Sequence, residues 1–470
     1  EQSDYTDYGT SDSWLNMIDD PEYDKTKVYG GATIPFSEDG RHHVSIFGNQ
    51  AFHEGDAGRP NRGFDHGYSM VNGTYSLPLG DAVTASAGLG YRYYDRTWED
   101  DNFSSGDLGL ASESGVEQTI VPADLALSIR HGRDDLLTVG MDFQFADYET
   151  FSDPVAGPSS VGNDAAASQL GVYVQEEQIL GAWVLRAGGR YTHAGHDIDK
   201  LGGSPPGDDS ESWDKLLWSA GVSRRTDLGF RPFANVGTSF LVPALKSVGG
   251  TLTSADRGVA GRNGQLPNPD LDPESGISFD LGTEYDADSG LRASVRGFVT
   301  VIDDAIVENV VSEDPSQSQS VNAGKTTAAG VEMAVRQQLN GRFSWFANYT
   351  YTTTDVENDV DPDQDGADVP FVPTHMANVG MTLGLPWAIE VSPYLQYHGE
   401  IYDSTSTSGR REFDGYELVN VRVTKTLRGI DAVDAALFVN LYNVTDNTFE
   451  MPWQFQDPGF SGSGGVSVTF

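Results

Sequence analysis

The stretch VTASAGLGYRY, residues 83–93, decides the fold. Val83, Ala85, Ala87, Leu89, Tyr91 and Tyr93 share one side of an extended chain, and Thr84, Ser86, Gly88, Gly90 and Arg92 share the other. Successive side chains of a strand point to opposite faces, so this run is a strand with one apolar and one small or polar face. The alternation recurs far along the chain. Val419, Val421 and Val423 oppose Asn420, Arg422 and Thr424, and Val379, Met381, Leu383 and Leu385 oppose Gly380, Thr382 and Gly384. Helical spacing of apolar residues is almost absent. A soluble sandwich would alternate too, but its strands are usually about five or six residues long. These runs reach roughly eight to twelve, with Gly, Ser, Thr, Asn and Arg on the polar face, as a hydrated lumen requires.

The connections alternate in length. Short turns at 37–40 (SEDG), 77–82, 131–134 (HGRD), 180–181, 226–231, 286–290 (DADSG), 339–342 (LNGR), 385–387 and 428–432 are separated by long stretches rich in Asp, Gly, Ser and Pro, such as 97–115, 150–164, 196–212, 247–273 and 355–373. Short turns on one rim and long loops on the other are the pattern of an all-β, transmembrane antiparallel β-barrel with periplasmic turns and extracellular loops. In lipid a sheet must close so that every backbone group is paired. The turns imply about eighteen strands, and 465–470 adds one more, roughly nineteen in all; single-chain bacterial barrels have an even number. The chain starts at Glu1, with no signal peptide before Tyr5. The odd count therefore predicts a truncated start inside an extracellular loop, residues 1–25, followed by the barrel, residues 26–470.

Composition narrows the classes further. With 470 residues, a net charge of −41 and no cysteine, the chain has no disulfide framework, thiolate zinc cluster or cysteine nucleophile. So acidic a chain repels phosphates, which excludes nucleic acid as a partner. A mean hydropathy of −0.38 excludes a bundle of membrane helices. The 54 Gly together with 20 Tyr, 22 Phe and 8 Trp do not fit disorder, which is poor in aromatics.

Six segments, in order, resemble the barrel of the TonB-dependent outer-membrane receptors, most clearly from about residue 168 onward. The most specific is NPDLDPESGISFDLGTEY (268–285). The others are GVYVQEEQILGAWVLRAGGRY (171–191), SFLVPALK (239–246), VNAGKTTAAGVE (321–332), PFVPTHMAN (370–378) and VNLYNVTD (439–446), with Phe470 as an aromatic terminus. The resemblance implies a barrel of the 22-stranded type with an N-terminal plug. The plug and about three strands would be absent here. It further implies an integral protein of the bacterial outer membrane, a monomer, with lipid and lipopolysaccharide around it and TonB acting through the missing plug region. The implied function is energised uptake of a scarce small-molecule ligand. An iron chelate such as a ferric siderophore comes first and cobalamin next; the alternative is a plug-less passive channel.

No constellation for catalysis is legible, so the chain is read as a non-enzyme that requires no cofactor. Gly-x-Ser-x-Gly, His-Glu-x-x-His and Walker sequences do not occur. His42 and His43 straddle two faces, and His193, His196, Asp197 and Asp199, where a strand enters a loop, read as a hydrated rim, with a metal pair as the competing reading. The acidic segment DVENDVDPDQDGAD (355–368) carries the D-x-D-x-D-G opening of a calcium loop in Asp361, Asp363, Asp365 and Gly366. Val372 stands where the bidentate Glu belongs, so Asp359 or Asp368 would have to complete a looser site; a solvated acidic loop is the competing reading. Tyr91, Tyr93, Tyr94, Trp98, Tyr349, Tyr351, Trp453 and Phe455 read as an interfacial girdle, or in part as a binding pocket. Arg292, Arg296, Arg336 and Arg422 lie on polar faces toward the lumen, where the resemblance implies contact with the plug. For the −41 charge two readings stay open: solubility of the loops at high salt, and divalent cations bridging to lipopolysaccharide. That charge also argues against loops capturing a bare anionic ferric chelate.

Overall fold

The computed structural model describes residues 2–4, 18, 22–103, 106–206, 209–404, 407–427, 434–450 and 459–469. The first strands are β1 (Gln2–Asp4), β2 (Glu22–Pro35), β3 (His43–Asp56), β4 (Gly63–Pro78), β5 (Val83–Asn102), β6 (Asp107–His131), β7 (Asp135–Pro154) and β8 (Ser160–Leu180). There follow β9 (Trp183–Lys200), β10 (Ser210–Arg224), β11 (Phe230–Leu241), the short helix α1 (Leu245–Gly249), β12 (Gly264–Leu266), β13 (Glu274–Asp286), β14 (Leu291–Glu313) and β15 (Ser316–Asn340). The chain ends with β16 (Phe343–Asn358), β17 (His375–Leu385), β18 (Ile389–His398), β19 (Ile401–Tyr402), β20 (Glu412–Phe413), β21 (Tyr416–Leu427), β22 (Asp434–Tyr442) and β23 (Ser461–Thr469).

One 21-stranded sheet holds all of these but the β19–β20 hairpin. Apart from the three-residue β1 and β12, its strands are long and pair antiparallel with their neighbours along the chain, β11 meeting β13 and β18 meeting β21. This is the barrel wall that the alternation predicted, and nineteen long strands agree with the turn count. Among the described residues, beyond β3, β2 pairs only with β1, over Glu22–Asp24. Its start at Glu22 lies ahead of residue 26, where the barrel was expected to begin. All the short turns recur except 428–432, which lies outside the described residues, as do Trp453, Phe455 and Phe470. Gly181, at φ 65°, shows how tight they are: the chain reverses between Leu180 and Trp183 through a left-handed position that glycine adopts without strain.

The long stretches differ from expectation. β6 and β15 each run for 25 residues and β14 for 23, whereas a tilted strand crosses a bilayer in about 9–11. Most of 97–115, 150–164 and 196–212 is therefore hairpin rising above the membrane, not loop. His193, His196, Asp197 and Asp199 all lie within β9. Ladder hydrogen bonds satisfy the backbone of these extensions, and water takes the place of lipid on their outer face, so the apolar pattern that marks a membrane strand disappears.

The only buried apolar cluster among the described residues sits in this outer region. Ala165, Ile198, Leu201, Trp213 and Val248 pack together, with Val242 and Leu245 against them. Residues 242–273 are thus a folded cap. Leu271 is buried and accepts a 2.9 Å bond from the Trp213 indole N–H at its carbonyl, and β12 adds in parallel to β15 at Gln317–Gln319.

Candidate functional site

The strand faces can be assigned from what they expose. Val71, Leu89, Tyr91, Leu125, Phe143, Val172, Tyr191 and Leu216 are exposed large side chains on one face of adjoining strands, Leu89 at 64% and Leu216 at 76%. This is the lipid face. Followed outward from the short turns, the same face turns acidic. Asp95 stands opposite Glu117, Glu117 opposite Glu149, and Glu149 opposite Asp164, with Glu54 opposite Asp65 alongside. Carboxylates cannot sit in hydrocarbon, so this row lies beyond the outer edge of the apolar layer.

The opposite, inward face at the same height has another character. One row runs Ala51, Tyr68, Tyr94, Gln118, Tyr148, and the next runs His53, His66, Arg96, Val116, Thr150. A third runs Gly55, Phe64, Trp98, Ser114, Ser152. None of these residues is acidic. Their rings are in mutual contact: the Phe64 centroid lies 5.4 Å from Trp98 and 4.9 Å from His66, and His66 lies 6.2 Å from Tyr94 and 5.9 Å from Trp98. The Arg96 guanidinium is 5.7 Å from the Trp98 ring centroid. His66 Nε2 and Arg96 Nε are buried atoms with no hydrogen-bond partner. A second inward stack, at a similar distance from the turns, joins His398 to Tyr416 at 5.0 Å and Tyr416 to Phe449 at 3.7 Å.

The cap beside this mouth is held by polar bonds. Buried Gln317 donates from Nε2 to the carbonyls of Asp256 and Arg262, each at 2.8 Å, and accepts from the Gly258 N–H. The hydroxyl and N–H of Thr253 donate to Asp256 Oδ2 at 2.7 and 2.9 Å, and these bonds, aided by Arg262, hold the Asp256 carboxyl below the usual carboxylate range. At the periplasmic rim the Ser37 hydroxyl and the Arg41 N–H do the same for Asp39.

A family model described as "TonB dependent receptor-like, beta-barrel" matches residues 2–444. The chain belongs to the TonB-dependent receptor barrel family. Among its relatives, the "Ferrichrome outer membrane transporter/phage receptor" of Escherichia coli (strain K12) is 23% identical over 368 residues, covering 74% of this chain and 43% of that protein. The "Ferrioxamine receptor" of Yersinia enterocolitica is 22% identical over 283 residues, covering 60% of this chain and 36% of that one. The chain therefore spans less than half the length of either. The solved structure of "Copper transporter OprC" shares the fold with a TM-score of 0.75 at 16% identity, covering 99% of this chain and 74% of that one. This TonB-dependent receptor barrel is an integral outer-membrane protein, and the relatives named are transporters and receptors.

Within the receptor barrel, the aromatic residues singled out in the sequence divide by face. Tyr91, Tyr93, Tyr349 and Tyr351 lie on the lipid side, as a girdle requires, while Tyr94 and Trp98 turn inward. His53, His66 and Phe64 escaped the sequence reading. Their shared parity in adjoining strands was the available signal, but it needs the register to be seen. His42 and His43 separate, His42 Nε2 meeting the Tyr75 hydroxyl and His43 Nδ1 the Gly40 carbonyl, both at 2.9 Å. His193 Nδ1 meets Asp214 at 2.9 Å on the outward face, whereas His196 packs on Trp213 on the inward face, so the pair forms no joint site.

The arginines Arg292 and Arg336 border an open recess of about 930 Å³ near the short turns, together with Arg231. Arg292 pairs with Asp286 at 3.1 Å and Arg296 with Glu332 at 3.7 Å, and Arg422 lies 4.9 Å over the Phe438 ring. The acidic residues Asp359, Asp361, Asp363, Asp365 and Asp368 do not converge. Asp361 accepts from the Asp363 N–H at 3.0 Å and from the Gln364 amide at 2.9 Å, and Asp368 pairs with Arg410 at 3.2 Å. No group of three His, Asp or Glu among the described residues is placed to hold a metal ion. This arrangement does not fit calcium.

Proposed function

We propose that this barrel is the wall of a receptor that takes up an iron chelate, a ferric siderophore, across the outer membrane, with TonB supplying the energy through an N-terminal plug region. The observation that carries the reading is the family match along the wall, joined to relatives named for ferrichrome and ferrioxamine. The inward rings and the folded cap support it. They form a receptive surface at the outer mouth, where a ligand arrives first. On this reading the wall works as a monomer in lipid and lipopolysaccharide, and the inward arginines near the short turns face the plug. Cobalamin and passive conduction find no support in these relatives.

The test is uptake of radio-iron from a panel of ferric chelates by cells expressing the full reading frame. Uptake that requires both this receptor and TonB is the expected result. Equal uptake in TonB-deficient cells would return the passive-channel reading in its place.

A further inference from the structure

We propose, building on the iron-chelate reading, that the inward mouth binds an anionic chelate bearing aromatic rings, of the catecholate or phenolate class, through Phe64, His66, Tyr94, Arg96 and Trp98. The first ground is the segregation of charge. In the band where the outward face of β3 to β7 presents Glu54, Asp65, Asp95, Glu117 and Glu149, the inward face of the same strands presents His53, His66 and the fixed cation Arg96, with no carboxylate in those rows. The −41 charge of the whole chain thus does not describe these inward rows.

The second ground is hydrogen-bonding capacity. His66 Nε2 and Arg96 Nε are buried without partners, which native structures rarely tolerate unless a ligand or water completes them. An anionic oxygen accepts from Arg96 Nε and from His66 in its Nε2–H tautomer, and a charge-assisted bond to guanidinium is the stronger kind. The third ground is shape. Phe64, His66, Tyr94 and Trp98 stand 4.9–6.2 Å apart in tilted and edge-on contacts, and such an array accepts a further ring in the same geometry. An aliphatic hydroxamate chelate offers neither ring nor net charge to this surface. An aliphatic carboxylate chelate would engage Arg96 but leave the rings without a partner.

The test uses the full reading frame purified from outer membranes in detergent, titrated calorimetrically with ferric dihydroxybenzoate, ferric acetohydroxamate and ferric citrate. Ferric dihydroxybenzoate should bind about tenfold more tightly than the other two. Arg96→Gln and Trp98→Leu should each weaken it by about five- to tenfold. Glu117→Gln, on the outward face beside them, should leave binding unchanged. Heat-modifiable gel mobility verifies that each variant barrel is folded. Equal or tighter binding of the hydroxamate or citrate complex overturns this inference alone, as do folded Arg96→Gln and Trp98→Leu variants that bind like the parent. If no ferric chelate of any class binds, the iron-chelate reading falls with it.

Discussion

Glu117 stands directly opposite Glu149 across the β6–β7 ladder on the outward face, and Asp95 and Asp164 extend the row on either side. Like charges opposite one another in a sheet are destabilising. Here they recur on four neighbouring strands above the lipid-facing band. Their effect is to keep the outer face of the hairpins wet and their edges soluble, at some expense in local stability. Replacing Glu117 with Gln should therefore slow hydrogen exchange in the outer halves of β6 and β7, by about 0.5 kcal/mol at low ionic strength. The difference between variant and parent should shrink as salt is raised, because salt screens exposed charges. A difference that does not change with salt would mean that the row is neutralised some other way.

Arg59 and Asp101 form a second, enclosed electrostatic relationship. The Arg59 Nε and Nη2 donate to the two carboxylate oxygens at 2.7 and 3.1 Å, with the side chains 6% and 2% exposed and the guanidinium 4.5 Å over Phe103. Removing one partner of a buried pair leaves a charge that neither water nor protein compensates, typically at about 3–5 kcal/mol. Asp101→Asn should open the rim between β3 and β4 locally, read as new protease cleavage at residues 57–62 while the barrel itself remains heat-modifiable. Arg59 and Asp101 are far apart in sequence, and only the hairpin geometry joins them.

The wall itself was legible from alternation because lipid demands an apolar side chain at every second position, as Val83–Tyr93 shows. That demand ends at the membrane edge. Beyond Tyr93 the outward positions become Asp95 and Thr97, the pattern dissolves, and residues 97–115 look like a loop although both halves are strand. The same limit concealed the mouth. Tyr91, Tyr93, Tyr94 and Trp98 read as one aromatic run, but register places the first two against lipid and the last two inward. The D-x-D-x-D-G pattern around Asp361 reads spacing correctly, yet the carboxylate at its head caps its own turn. Spacing along the chain does not determine where the oxygens point.

Gly171 leaves room for a neighbour's guanidinium. A side chain there would place its Cβ 2.0 Å from Arg190 Nη2, and Arg190 grips Asp142 through both terminal nitrogens at 2.6 and 2.7 Å. Gly171→Val should displace the guanidinium and break this inward fork, whereas Gly189→Ala, where a Cβ meets nothing within 4 Å, should be tolerated. The expected readout is a lower thermal midpoint for the first variant only, with the Asp142→Asn variant reproducing most of the loss. Equal midpoints for Gly171→Val and the parent would show that Arg190 has another place to go.

The cap over residues 242–273 should loosen in acid, and the sign follows from Asp256. Its carboxyl is held below the ordinary range by the Thr253 hydroxyl and N–H, so the folded cap binds this proton less readily than the unfolded chain, whose Asp titrates near about 3.9. Stability from this group is therefore fully present above that value and is lost as pH falls through the lower folded value. The consequence should reach further than one turn, because Gln317 of β15 donates to the Asp256 and Arg262 carbonyls and is itself buried. Amide exchange at residues 253–258 should rise as pH is lowered below about 4, and the amides of β12 should follow. In Asp256→Asn the amide side chain accepts these bonds more weakly and does not titrate, so exchange should be faster at neutral pH and its acid-dependent rise should largely vanish. An unchanged acid response in that variant would assign the transition to another carboxylate of the cap.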